Sequence, residues 1–237
     1  FEDVNKFVED KEGNLWIGTN GGGLLHYDRR SGKFKSFRHD PKNINSISSD
    51  VVVSLCIDHE NKVWIGTYYG GLNCYDGKKF IHFRHNAADT SSISDDSIWE
   101  IFEDADKKLW IGTLTSGMNL FDRTTQNFRH FDVENRSLHS NYISVIIEDK
   151  EKNLWLATSN GIDVMDKKSG AFRYYGHDDK DRFSLSNNNV MSILQDSRGR
   201  IWAGTREGLN VLDTEKKKFT VFRKENGLPD NTILTIL

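Results

Sequence analysis

The chain has 237 residues, 36% of them hydrophobic and 11% aromatic, with 32 Lys and Arg against 35 Asp and Glu for a net charge of -3. That balance, with no basic block, argues against nucleic acid or an anionic membrane surface as partner. No apolar run approaches the roughly 18 residues of a membrane span.

The chain opens at Phe1 without a methionine, inside a repeat and without the apolar core of a secretory signal, which predicts a piece of something longer. Its first predicted element is an apolar run, Val4 to Val8, and equivalent runs recur at Val52 to Ile57, Ile98 to Phe102, Ile143 to Ile147 and Val190 to Leu194. These runs lack clean alternation, as expected of strands covered on both faces, and are read as the innermost strand, A. Twelve residues after the start of each run stands a tryptophan, Trp16, Trp64, Trp110, Trp155 or Trp202, within the pattern Leu-Trp-Ile-Gly-Thr or a close variant. An aspartate stands six residues before each, at Asp10, Asp58, Asp104, Asp149 and Asp196, followed by polar residues. An Asp there bonds nearby backbone N–H groups, so the A-to-B connection is a short hairpin and the Trp pattern is strand B.

After the threonine that ends strand B come a few residues that differ between copies, then a Gly and an apolar residue, as in Gly23-Leu24 and Gly71-Leu72. That Gly suits a position where the backbone turns or packs closely. Strand C ends in Asp28, Asp76, Asp122, Asp166 or Asp213, and strand D carries paired aromatics such as Phe80 and Phe83. Polar connectors containing Ser-Ile-Ser, Ser-Leu-His or Ser-Leu-Ser then lead to the next strand A. Cys56 and Cys74 fall on strands A and C of one repeat, about 9–10 Å apart and too far for a disulfide, so two free thiols are predicted.

Four short strands repeating every 45 to 48 residues, each set with one large aromatic, predict an all-β fold of four-stranded antiparallel β-propeller blades. The blades are placed at about 1–39, 50–85, 96–132, 141–176 and 188–223, with 231–237 as the first strand of a further blade. The tryptophans are expected in the wedges between blades. The surplus apolar strand predicts that the five blades are an arc of a longer ring.

No CxxC, HExxH, P-loop or GxSxG motif occurs and the eight histidines show no ligand spacing, so no catalytic residue, metal or cofactor is expected. The repeated aspartates are read as turn formers, because in a ring they are too dispersed to converge on an ion. In an up-and-down blade the B-to-C loops and D-to-A connectors emerge on one face, and these are the segments that vary. Recognition is expected on that face. Tyr68 and Tyr69 are its most pointed candidates, offering stacking faces and hydroxyls suited to a sugar or peptide. Asn20 and Arg206 join them from other loops, and His39 and His85 from the connectors.

The copies Phe7 to Asp28, FVEDKEGNLWIGTNGGGLLHYD, and Ile101 to Asp122, IFEDADKKLWIGTLTSGMNLFD, resemble the two-component regulator propeller repeat. The resemblance covers essentially the whole chain, with Ile57, Gln195 and Ala157 as small departures. It implies a periplasmic sensor segment of a membrane-bound hybrid histidine kinase and response regulator that senses an oligosaccharide, in a propeller of seven blades. It also implies further blades and receptor domains as partners. A protein-interaction or homodimerisation scaffold is the alternative, and a propeller lyase or glycosidase the remaining one, although no convergent acid pair for glycoside hydrolysis is visible.

Overall fold

The computed structural model describes residues 3–236. They form two compact units, divided between His130 and Phe131. Blade 1 is β1 (Val4–Glu9), β2 (Leu15–Thr19), β3 (Leu24–Asp28) and β4 (Lys33–Phe37), and blade 2 is β5 (Val52–Ile57), β6 (Val63–Thr67), β7 (Leu72–Tyr75) and β8 (Phe80–Phe83). Blade 3 is β9 (Ile98–Glu103), β10 (Leu109–Thr113), β11 (Met118–Phe121) and β12 (Phe128–Phe131), whose last residue opens the second unit. Within that unit blade 4 is β13 (Ile143–Glu148), β14 (Asn153–Thr158), β15 (Gly161–Asp166) and β16 (Phe172–Tyr175). Blade 5 is β17 (Val190–Gln195), β18 (Ile201–Thr205), β19 (Gly208–Asp213) and β20 (Lys218–Phe222). Each blade is its own four-stranded sheet in sequence order, so the described residues, apart from a 3-10 turn at Lys224–Asn226, are of the all-β class and built of propeller blades.

The repeated sequence explains the repeated geometry. In the A-to-B hairpins the third residue after the aspartate takes a left-handed backbone: Gly13, Asn61, Lys107, Lys152 and Gly199 have φ between 65° and 82°. The aspartate closes this turn, as Asp58 does by accepting the Glu60 and Lys62 amides through Oδ1. Its other oxygen has a second duty. Oδ2 accepts the indole N–H of Trp64 at 2.8 Å, of Trp110 at 2.9 Å, of Trp155 at 2.7 Å and of Trp202 at 3.0 Å. The six-residue interval from Asp to Trp thus joins a turn to a core anchor, and it satisfies the one polar atom of each indole. In blade 1 the Oδ2 of Asp10 instead accepts from Asn14 and faces His26.

Trp16, Trp64, Trp110 and Trp155 are buried, as expected, whereas Trp202 is half-buried. In the first unit Trp16 contacts Tyr75 of the next blade at 5.6 Å and Trp64 contacts Phe121 at 5.2 Å. The strand D aromatics stand three apart, which in a strand sends them to opposite faces. Phe80 accordingly packs with Trp16 in the core between blades 1 and 2, while Phe83 packs with Trp64 toward blade 3. One pair therefore serves two blade interfaces. β5 lies against both β1 and β9.

Gly66 of strand B permits this close approach, because a Cβ there would meet Ser54 Oγ and come within 2.8 Å of Ile98 Cγ2 on the next blade. Gly18 stands in the same relation to Val52, and Gly204 to Ile233. The expected strand of a further blade over 231–237 is present only as this first step. Ile233 N–H donates to the Thr205 carbonyl at 2.9 Å, but residues 231–236 form no ladder, and Leu237 lies outside the described residues. Cys56 and Cys74 flank Trp64 in register, one strand apart from it on either side, and both are free thiols whose burial pushes them to about 12.

Candidate functional site

Within each unit the B-to-C loops and D-to-A connectors meet at one end. Gly23 N–H donates to Asp50 O and Gly71 N–H to Asp96 O in the first unit, and Gly161 N–H donates to Asn188 O in the second. Each B-to-C loop is closed behind by its strand B threonine. Thr19, Thr67, Thr113, Thr158 and Thr205 donate through Oγ1 to the carbonyls of Gly23, Gly71, Gly117, Gly161 and Gly208, at 2.7 to 3.1 Å. Glycine is required at the closing position: Gly71 has φ +77° and an added Cβ would collide with the Phe83 carbonyl.

The loop of blade 2 carries the most distinctive surface. Tyr68 is half-buried and Tyr69 is 67% exposed, with ring centroids 4.1 Å apart and planes tilted by 50°. The Tyr68 hydroxyl donates a hydrogen bond to that of Tyr69, which raises it above its usual range. Tyr69 holds a left-handed backbone at φ 57°, where the equivalent residue of blade 1 is Gly21. A bulky side chain in that region is costly and needs support from its surroundings. The support comes from Arg84, whose Nη2 donates to the Tyr69 carbonyl at 3.0 Å and to Asp96 Oδ2 at 3.3 Å.

The structure brings some of the sequence candidates together. Asn20, exposed, pairs with Val51, and the Tyr68 N–H donates to the Val51 carbonyl, so both flank one residue. His39 and His85 occupy equivalent places in their connectors. Each ring uses Nδ1 on a connector carbonyl, Ile47 at 2.8 Å or Ile93 at 3.0 Å, and each backbone N–H donates to Asp50 or Asp96. These bonds fold the connector, and they also place His39 beside Arg84 in a cavity of about 360 Å³ that Lys42, Ile44, Ser46 and His82 line as well. Arg206 is exposed on the loop end of the second unit. The support that Arg84 gives Tyr69 is not among the roles expected from sequence; its signal is the recurrence of Arg at the start of a connector, as Arg38 bonds Gly21 O and Asp50 in blade 1.

The opposite end of the first unit is occupied by structural ion pairing. Arg123 donates to Asp58 Oδ2 at 2.8 Å and to Glu103 Oε1 at 2.6 Å, and His59 Nδ1 lies 2.8 Å from the same glutamate oxygen. Burial works against the Asp58 charge, but the Trp64 indole, the Lys62 amide and Arg123 together hold its carboxyl below the usual range. The arrangement suits turn closure and blade fastening, and the loop end, with its aromatic pair and hydrogen-bonding groups, suits ligand contact.

Comparison with known proteins bears on this geometry. The chain is similar in structure to the extracellular domain of a hybrid two component system from B. thetaiotaomicron, at 23% identity and a TM-score of 0.79, covering 92% of this chain and 29% of that one. It is similar to PorZ, a surface component of the type-IX secretion system of Porphyromonas gingivalis, at 19% identity and a TM-score of 0.73, covering 99% of this chain and 36% of that one. It is also similar to a virginiamycin B lyase from Staphylococcus aureus, at 14% identity and a TM-score of 0.67, covering 93% and 70% of the two chains. These likenesses are of fold. No curated protein sequence matches the chain. A family model described as two component regulator propeller matches residues 1–21, 46–69, 92–115, 137–160 and 184–207. Every match contains the tryptophan and the aspartate six residues before it, and the chain belongs to the two component regulator propeller family.

Proposed function

We propose that this chain is a non-catalytic, ligand-sensing part of an extracytoplasmic receptor, that it recognises an oligosaccharide at the loop end of its first unit, and that the bound state is passed to a histidine kinase. The observation that carries this reading is Tyr69, a large exposed ring in a left-handed backbone supported by Arg84. Strain in a bulky residue persists only where neighbouring groups hold it, and ligand clamps are one of the places where it recurs. The tilted pair with Tyr68 offers apolar faces and two hydroxyls, and Asn20 adds a side-chain amide nearby. Membership of the family and the fold shared with an extracellular two component domain support the receptor setting and a periplasmic location.

Calorimetric titration with a panel of oligosaccharides, run beside a turnover assay, tests the reading. Binding without turnover that is lost on Tyr68→Ala with Tyr69→Ala is the expected result. Turnover by the isolated chain would overturn the sensor reading in favour of a lyase or glycosidase.

A second reading concerns partners. Val4, Phe7 and Phe34 of blade 1 are 60%, 66% and 62% exposed, and they are equivalent to Val52, Leu55 and Phe80, which blade 2 buries against blade 1. This face fits packing by a further blade of the same receptor. Self-association on the same face would register as a dimer in sedimentation and would disappear on Phe7→Lys.

A further inference from the structure

Four connectors are fastened to strand C of the following blade by the same two-bond clamp, and in one of them the chemistry is changed. Asn73, Asn119 and Asn210 each accept a connector amide through Oδ1, from Ser48, Ser94 and Ser186, at 2.8 to 3.0 Å. Each then donates through Nδ2 to the hydroxyl of the same serine, at 2.7 to 2.9 Å. In blade 4 the asparagine is replaced by Asp163 and the serine by His139. Asp163 accepts the His139 amide through Oδ2 at 2.9 Å, and its Oδ1 lies 2.7 Å from His139 Nδ1. The side chain of Asp163 is fully buried, whereas that of His139 is 50% exposed and its ring is stacked on Tyr174 with centroids 4.0 Å apart.

We propose that this fourth clamp is proton-responsive: the connector of blade 4 is held more tightly when Asp163 takes up a proton and more loosely when it is ionised, while the three neutral clamps do not respond. A carboxylate with no access to water is the costly form of the group, and a single partly exposed imidazole offsets that cost only in part. The titratable group that acts on Asp163 is His139 from the connector; β16 presents Tyr174 and β14 Leu156 at this register. Burial raises the Asp163 carboxyl, with the amide and ring of His139 opposing. A raised folded value means that the clamp's contribution is fully present below the pKa of the exposed carboxyl and is lost as pH rises through that of the buried one.

The clamp also positions a loop. Asn160 Nδ2 donates to the His139 carbonyl at 3.0 Å, the Tyr174 hydroxyl donates to Asn160 Oδ1 at 3.4 Å, and Ser140 and Ser159 share a hydrogen bond at 2.9 Å. Opening therefore frees the B-to-C loop of blade 4 together with the connector.

The test is amide exchange by NMR on the intact chain, corrected for intrinsic rates, with a carbon-detected titration of Asp163. Opening of the His139 amide is expected to rise by up to about tenfold per pH unit between the exposed and buried values of the carboxyl, then to level off. The Ser48, Ser94 and Ser186 amides should show no such rise. The double change His139→Ser with Asp163→Asn, which installs the clamp of the other blades, should flatten the response, and Asp163→Asn alone serves if the double variant folds poorly. An Asp163 midpoint at or below 3.8, or a His139 amide that loosens on acidification or follows the three serines, would overturn the proposal.

Discussion

Replacing Asp58 by alanine isolates the bond between turn and tryptophan. Asp58 is 2% exposed and accepts four hydrogen bonds, from the Glu60 and Lys62 amides, the Trp64 indole and Arg123 Nη1. Truncation leaves a buried indole N–H and two turn amides unsatisfied, and it takes one of two carboxylate partners from Arg123, whose other bond to Glu103 remains. An orphaned buried donor costs about 1–3 kcal/mol, and removing one partner of a buried ion pair costs about 3–5 kcal/mol. These terms overlap, so the expected loss is about 3–5 kcal/mol. In a chain of this size that lowers Tm by about 6–20 °C, read by scanning calorimetry. Asp58→Asn should recover little, because its amide would point a donor at two donors.

The pH dependence has a definite sign. The folded carboxyl sits below its ordinary value of 3.8, so its contribution is present above that value and is lost as pH falls through the folded one. The gap between wild type and Asp58→Ala should therefore narrow in acid. A loss under about 1 kcal/mol, or a gap unchanged down to about pH 2, would refute the assigned role.

Gly66→Ala should destabilise by about 1–3 kcal/mol, because the new methyl meets Ser54 Oγ and Ile98 Cγ2 across the blade interface; an unchanged Tm would show that β6 and β9 can separate. Trp110→Ala should cost about 3–5 kcal/mol by opening a cavity, measured by denaturant titration. Tyr68→Ala with Tyr69→Ala should leave Tm within about 2 °C while abolishing oligosaccharide binding, and equal damage from both changes would place the tyrosines in the core. Cys56 and Cys74, with thiols pushed to about 12, should resist a disulfide reagent at pH 8 until denaturant is added; rapid native labelling would contradict their burial.

The blades were legible because Trp, Gly and the A-to-B hairpin recur at fixed intervals, and fixed intervals are what a stacked unit requires. The duty of the aspartates was legible only in part. Turn formation follows from residue type, whereas the indole bond depends on the Asp and the Trp lying on one face of the hairpin, which spacing suggests but does not prove. The three-residue gap between strand D aromatics hid their division between two interfaces until their neighbours were known. At the loop end, Tyr68 and Tyr69 stood out by composition. The left-handed backbone of Tyr69 could not be read locally, because Arg84, fifteen residues away, supports it. The His139 and Asp163 substitution was visible in sequence as Ser-Leu-His in place of Ser-Ile-Ser, but its partner lies 24 residues on, in another strand.

The threonine-to-glycine closure of each B-to-C loop separates two kinds of change. Residues such as Tyr68-Tyr69 or Arg206-Glu207 stand in front of the clasp, and the hydrogen bond behind them uses no atom of theirs. Selection can therefore exchange the exposed residues without renegotiating the sheet, one blade at a time, and a laboratory can do the same by grafting loop tips between copies. The scaffold behaves as a socket with a standard fitting, and a change of specificity need not begin as a change of stability.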